Sequence, residues 1–328
     1  MRAMVLTSPK SPLRLLEVPT PKPKQHQVLV KVQACAVCRT DLHILDGDLH
    51  PPHLPLIPGH QIVGIVAEQG PSATRFKVGQ RIGIPWLGKT CRQCRFCLSQ
   101  RENLCERAQF TGYHLDGGYA ELCVADENYC YHLPEIYSHV QVAPLLCGGL
   151  IGFRAFRMLE NAQKIGFYGF GSAAHILAQI ANYQQKHIYA FTRPNDKSAQ
   201  ELAKKLGAVW ASSSEKAAPT LLDSAIIFAS VGDLIPQALQ SVDKGGSVIC
   251  AGIHMSAVPS FPYQLIYGER TLRSVANLTR EDGNHFFQLA AQCFIHTHVT
   301  TYPLEKANEA LQNLKEGKVT GSAVLELA

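Results

Sequence analysis

Charge is thin and scattered in this sequence. Of 328 residues, 17% are Asp, Glu, Lys or Arg, and no run of five or more like charges occurs. A groove or tail for nucleic acid is therefore not expected. The net charge of +5 reads as a solvated surface, with room for a basic cleft that takes an anionic cofactor. Long hydrophobic runs are also missing. The richest stretch, "VAPLLCGGLIGFRAF", is broken by Arg154, so no membrane span is expected. The opening "MRAMVLTSPK" holds no apolar segment of signal-peptide type, which points to a cytoplasmic chain. Repeats and low-complexity tracts are absent. With 46% hydrophobic residues, the chain reads as folded and not disordered.

What is present bounds the organisation. The length exceeds what one hydrophobic core usually serves, so two domains are expected. Residues 1–135 are strand-rich: "QVLVKVQA" (27–34) and "IVGIVAEQ" (62–69) carry β-branched residues between turn signals. Prolines at 19, 21 and 23 and at 51, 52, 55 and 58 mark loops. From Lys164 onward, "KIGFYGF", "HIYAFT", "AVWAS", "AIIFAS", "SVICAG" and "LRSVA" read as six buried strands. They alternate with helical stretches such as "HILAQIANYQQ" and "DKSAQELAKKLG". That alternation predicts a parallel, doubly wound sheet. After about residue 282, a helix, a turn and the strand "SAVLEL" are expected to rejoin the first domain.

Cysteine is plentiful, with 11 residues. In a chain without a signal segment, close cysteine spacing points to metal before disulfide. "TCRQCRFCLSQRENLC" sets Cys91, Cys94, Cys97 and Cys105 at C-x2-C-x2-C-x7-C. Four thiolates close a tetrahedral shell around Zn²⁺ and leave no position for substrate, which defines a structural site. An iron–sulfur cluster and a nucleic-acid zinc module are the alternatives. The first usually ends in a shorter gap followed by proline, whereas Glu106 follows here. The second needs a recognition helix, and none is evident.

Three further segments, "CAVCRTDLH", "PGHQIVG" and "APLLCGG", each offer a soft or borderline ligand in a glycine- or proline-marked loop. Cys38, His60 and Cys147 would give two thiolates and an imidazole, with a fourth position open, as catalytic zinc requires. Taken singly, such a cysteine is more often a small buried hydrophobe, and such a histidine a satisfied core residue. Cys35 and Cys38 also form a C-x-x-C of redox type. The better reading makes Cys35 packing and Cys38 a ligand.

"YGFGSAAH" follows the first strand of the alternating region and opens a helix. Gly169 and Gly171 permit a tight turn and close backbone approach to a pyrophosphate, and Ala174 takes the third glycine's place. Some twenty residues on, NAD enzymes place an acid for the ribose hydroxyls. Here the chain reads "AFTRPND", with Thr192 at that place and Arg193 beside it. A hydroxyl and a planar cation suit a 2′-phosphate, with Lys197 as a weaker source of positive charge. NADP(H) is thus expected over NAD(H).

In order along the chain, "CRTDLH", "PGHQIVG", the four-cysteine segment, "APLLCGG" and "YGFGSAAH" resemble the zinc-dependent alcohol dehydrogenases of the medium-chain dehydrogenase/reductase superfamily. The resemblance covers essentially the whole chain. It implies an α/β plus β-rich fold: a GroES-like catalytic domain (1–147 and 282–328) holding a Rossmann cofactor domain (148–281). It implies two zinc ions per chain and reversible hydride transfer between a small alcohol and a nicotinamide. Carried over by position, Cys38, His60 and Cys147 resemble the catalytic zinc ligands, and Asp41 the carboxylate that orients the histidine. Thr40 and His43 match the two ends of a proton relay through the cofactor ribose. Arg39 matches a basic residue at the pyrophosphate, and Trp86 the aromatic wall of the alcohol pocket. Trp86 is nearly as well explained as a core tryptophan. Family members are dimers or tetramers, so a homo-oligomer is implied. Aldehyde or ketone reduction, and a non-catalytic zinc protein on the same fold, are the alternatives. Two departures stand out. Gln61 replaces the usual glutamate after the histidine, and Ser322 stands where many relatives have an arginine for the pyrophosphate.

Overall fold

The strand Gln27–Val37 organises the first part of the chain. Its first half pairs antiparallel with Leu122–Asp126, and its last residues, Ala34 to Val37, pair with Ser322–Glu326. On its other side it pairs with Ile62–Gln69 over nearly its whole length. Neighbours on both edges satisfy its backbone hydrogen bonds, and Ala34, Cys35, Ala36 and Val37 at its end are all buried, so both faces are covered there. Cys38 therefore leaves from a fixed backbone.

The computed structural model describes residues 1–253 and 255–327. The chain divides into two units, Met1–Cys147 with Asn277–Ala328, and Gly148–Ala276. In the first, a seven-stranded sheet runs Val299–Pro303, Ser322–Glu326, Gln27–Val37, Ile62–Gln69, Arg81–Ile84, Tyr131–His132, with Leu122–Asp126 also on Gln27–Val37. Val28, Val30, Ile62, Val66, Phe76, Ile82, Leu311 and Leu325 share one core. Each such side chain contributes about 1.5–3 kcal/mol by leaving water. The return to this unit falls at Asn277, ahead of the expected residue 282. Thr279 caps the helix Arg280–Gln292, and Arg280 donates from its backbone N and Nε to Glu102 at 2.9 and 3.0 Å. These bonds fix the segment at the first residue of the helix. The C-terminal part is also richer than expected. A strand, Val299–Pro303, and a second helix, Ala307–Lys315, intervene before Ser322–Glu326.

The second unit is a six-stranded sheet in which every neighbouring pair is parallel. Its order is Trp210–Ser213, His187–Thr192, Lys164–Tyr168, Leu222–Ile227, Val242–Cys250, Thr271–Ser274. The first strand in sequence lies in the middle, and the chain winds outward from it in both directions. That is the dinucleotide-binding topology, with its ligand crevice at the strand ends beside the reversal. Two of the six strands are not buried as the sequence suggested. Trp210–Ser213 and Thr271–Ser274 are the sheet edges, and Thr271, Arg273 and Ser274 are exposed. An edge strand lacks a neighbour on one side and so loses the burial its apolar run anticipates. Among the described residues, no single helix is long and apolar enough to cross a membrane.

Candidate active site

Cys38 is the N-cap of the helix Arg39–Leu45. Its Sγ accepts from Thr40 N at 3.4 Å, and Asp41 Oδ2 accepts from Cys38 N at 2.9 Å. This reciprocal cap fixes the sulfur and the carboxylate together. The other oxygen, Asp41 Oδ1, lies 3.0 Å from His60 Nδ1. An ionised carboxylate only accepts, so Nδ1 carries the hydrogen and Nε2 becomes the ligand atom. Nε2 sits 3.2 Å from Cys38 Sγ. Cys147, at the end of the short helix Ala143–Leu146, completes the group. The ligand atoms of Cys38, His60 and Cys147 all lie within 4.8 Å of one another.

The backbone at His60 depends on Gly59. Its φ is +96°, and a Cβ there would stand 2.4 Å from the ring of Tyr119 and 2.9 Å from Cys35 Sγ. Both the conformation and the space demand glycine. Asp41 and His60 are fully buried. Burial raises the Asp41 carboxyl, though His60 opposes it. Burial alone would lower His60, but Asp41 and Cys38 outweigh it and hold the imidazole well above its usual range. Cys38 is held well below the usual thiol value, chiefly by the hydrogen bond from Cys147, while that bond and burial push Cys147 well up. The buried group thus concentrates negative charge that draws protons. A dication bound by three such donors would displace those protons, so the donor set fits zinc with one position open.

The second cysteine group is equally close-knit. Cys91, Cys94, Cys97 and Cys105 bring their sulfurs within 4.8 Å of one another. Individual S···S distances include 3.5 Å for Cys105–Cys91 and 3.6 Å for Cys94–Cys97. Backbone N–H groups of Gln93 and Cys94 bring Cys91 down to about 6, whereas burial pushes Cys105 up to about 11. Four sulfurs with no fifth metal-ligating donor in the group among the described residues suit a closed zinc shell. Breaking it should damage the fold first. Cys94→Ser is expected to lower the melting temperature and the zinc content together, while correctly folded molecules keep turnover. A variant with unaltered thermal unfolding would contradict this role, and differential scanning fluorimetry with metal analysis reads both quantities.

The remaining sequence-derived residues distribute as follows. Trp86 meets the His60 ring edge-on at 5.0 Å, and it also packs on the core. Sequence reasoning missed its companions. Phe110 stacks on Trp86 at 5.0 Å and 9°, with Tyr113 at 5.9 Å. The aromatic cluster "QFTGYH" was the available signal. Thr40 is buried, and Arg39 is exposed at the first turn of the same helix. His43 follows Thr40 by three residues on this helix, and its Nδ1 lies 2.8 Å from Asp48, another residue not anticipated. Gln61 is buried, and its Nε2 has no hydrogen-bond partner among the described residues. Ser322 pairs with Val299 in the sheet.

In the second unit, Gly169 has φ +89° and follows the strand Lys164–Tyr168, and a Cβ there would meet Ala229 at 3.0 Å. Gly171 is the N-cap of the helix Ser172–Tyr183, with no side-chain cap and open space where a Cβ would stand. Ala174 is fully buried. These features leave backbone N–H groups at a helix start for an anion. Thr192 is buried, and its hydroxyl donates toward the carbonyls of Arg193 and Ser212 at 3.1 and 3.3 Å and accepts from Gln200 Nε2 at 3.0 Å. Its hydrogen-bonding capacity is turned inward. Arg193 is the group presented outward: its side chain is 88% exposed, and its guanidinium pairs with Asp196 at 3.3 Å. Lys197 is exposed at the start of the following helix.

Comparison with known proteins agrees with this geometry. The family model for the alcohol dehydrogenase GroES-like domain matches residues 24–135. The probable alcohol dehydrogenase AdhA of Mycobacterium tuberculosis is 42% identical over 322 residues, 96% of this chain and 92% of its own. An alcohol dehydrogenase of Geobacillus stearothermophilus is 35% identical over the full length of both chains. Among solved structures, acetophenone reductase from Geotrichum candidum, in complex with NAD, superposes with a TM-score of 0.87 at 27% identity, covering 99% of this chain and 97% of its own. The chain belongs to the zinc-type medium-chain alcohol dehydrogenase family. Its activity is that of an oxidoreductase acting on alcohols.

Proposed function

We propose that the protein is a zinc-dependent alcohol dehydrogenase that interconverts a small alcohol and its aldehyde or ketone and favours NADP(H) over NAD(H). The observation that carries this reading is the meeting of Cys38, His60 and Cys147, with Asp41 fixing the imidazole tautomer. Zinc held by these three would act as a Lewis acid on the substrate oxygen, and the nicotinamide would exchange hydride with the substrate carbon. The chain's own residues handle binding and the proton. The Thr40 hydroxyl hydrogen-bonds the substrate oxygen and passes its proton toward His43. Asp48 accepts at His43 Nδ1, so a proton delivered to this ring enters at Nε2. Trp86 with Phe110 and Tyr113 forms the apolar wall against the substrate carbon chain. Gly169, Gly171 and Ala174 take the cofactor pyrophosphate at the helix start, and Arg193 takes the 2′-phosphate.

The relative solved with NAD carries the unphosphorylated cofactor on this fold, so preference here rests on the turn after Thr192. That turn presents Arg193 but also Asp196, whose charge offsets part of the attraction. A homo-oligomer and a cytoplasmic location belong to the same proposal. It is tested by kcat/KM over a panel of alcohols and carbonyls with both cofactors, followed by nicotinamide absorbance. Activity without added or bound zinc, or none on any alcohol, would overturn it. The similarity to acetophenone reductase favours carbonyl reduction as a second reading of the physiological direction.

Gln61 gives a further test. It follows His60 directly and brings no charge. Gln61→Glu would add a negative charge beside the metal site and oppose proton release there, so the apparent pKa of the pH–rate profile is expected to rise. An unchanged or lower value, with zinc retained, would reject this.

A further inference from the structure

The four-cysteine group has a side-chain hydrogen-bond partner that its sequence motif does not reveal. Thr90 Oγ1 lies 3.4 Å from Cys97 Sγ and 2.6 Å from Tyr129 OH. Thr90 and Tyr129 are 4% and 2% exposed, so water does not compete for these bonds. Cys91 and Cys105 receive backbone N–H groups, from Gln93 and Cys94 in one case and from Cys91 and Arg107 in the other. Cys97 is therefore distinguished by a hydroxyl partner.

We infer that Tyr129 and Thr90 form a directed hydrogen-bond relay that holds Cys97 as a metal-bound thiolate. The direction follows from donor inventory. As a metal ligand, Cys97 is a thiolate and can only accept, so Thr90 must spend its one hydrogen on the sulfur. The short contact with Tyr129 must then run from the phenol to the threonine oxygen. A hydroxyl that accepts one bond donates the other more strongly. A dication with four thiolates carries a formal charge of minus two, and each donor to sulfur spreads that charge and opposes loss of the ligand. The guanidinium carbons of Arg92 and Arg280 lie 5.9 and 5.5 Å from the centroid of the Tyr129 ring. Arg280 is fixed in turn by the buried Glu102, at 3.0 Å. The relay thus ties the metal lobe to the helix Arg280–Gln292 at the far end of the same unit's sequence. Thr90 and Tyr129 are positioning residues and take no part in the alcohol site.

This inference rests on the four cysteines holding zinc, and the test separates the two ideas. Zinc release from the full-length chain is followed with a chromophoric chelator, and the cobalt-substituted protein is examined for its sulfur-to-metal charge-transfer bands. A wild-type cobalt spectrum without four-thiolate character would overturn the metal assignment and the relay with it. With that spectrum in place, Thr90→Val is expected to speed release of one of the two zinc ions about tenfold and to shift the charge-transfer bands. The release phase of the other ion should not change. Thr90→Ser, which keeps the hydroxyl, should release at the wild-type rate, and Tyr129→Phe should fall between. Wild-type release from Thr90→Val, or release from Thr90→Ser as fast as from Thr90→Val, would overturn the relay. Should Thr90→Val not fold, Tyr129→Phe decides: faster release supports the relay, and the wild-type rate overturns it.

Discussion

His60→Ala and Cys38→Ser are each expected to cut turnover about a thousandfold or more, the equivalent of several kcal/mol of lost Lewis-acid stabilisation. Neither should unfold the protein. The site lies at the end of a strand that is paired on both edges, and the four-cysteine group is a separate set of ligands. The two variants differ in what they leave behind. His60→Ala removes the imidazole that faces Asp41 Oδ1, while Oδ2 keeps its bond from Cys38 N. An unpaired buried oxygen costs about 1–3 kcal/mol, so a modest loss of stability is expected with it. Cys38→Ser keeps an N-cap oxygen and with it the helix start, so its loss should be almost wholly in turnover. Steady-state kinetics beside thermal unfolding separates these effects. Wild-type turnover in Cys38→Ser would mean that the metal assignment is wrong.

The second large effect concerns the cofactor. Arg193→Ala is expected to raise the KM for NADP⁺ about ten- to hundredfold, the range of one to two charge-assisted hydrogen bonds. The KM for NAD⁺ should hardly move, because NAD⁺ lacks the phosphate that the guanidinium meets. Asp196 sets the lower end of that range. Its carboxyl is held below its usual value: burial opposes this, but bonds from Ala199 N, Ser198 and Arg193 prevail. At neutral pH it is therefore a carboxylate and keeps part of the guanidinium's charge engaged. Equal losses with both cofactors would show that Arg193 serves only to hold the turn. A preference for NAD⁺ in the unmutated enzyme would defeat the specificity argument itself.

Legibility in the sequence followed the range of the interaction. The strand Ile62–Gln69 and the parallel order of the second unit came from local periodicity, which burial on both faces enforces. Edge exposure of Thr271–Ser274 was not legible, because a strand's place in the sheet is decided by its neighbours and not by its own residues. The strand Val299–Pro303 was missed for the same reason: it is half-exposed and carries little apolar signal. At the site, the four cysteines announced themselves by spacing. The trio did not, since 22 residues separate Cys38 from His60. Only the fold brings Cys147 to them. Asp41 came only from the family resemblance; the cap that sets it three residues from Cys38 is a feature of the folded helix. Phe110, Tyr113 and Asp48 were not legible, because their value lies in ring contacts and one hydrogen bond that spacing alone does not encode. Thr192 shows the opposite failure. Its register was legible, but its hydroxyl turned to the backbone and to Gln200.

Metal counting addresses the central claim directly. Zinc is measured per chain by plasma emission on the purified wild type and on His60→Ala, with turnover recorded on the same samples. Two zinc ions in the active wild type and one in the inactive, folded variant are expected. One zinc in an active wild type, or two in both proteins, would contradict the assignment of Cys38, His60 and Cys147 as the reactive metal site.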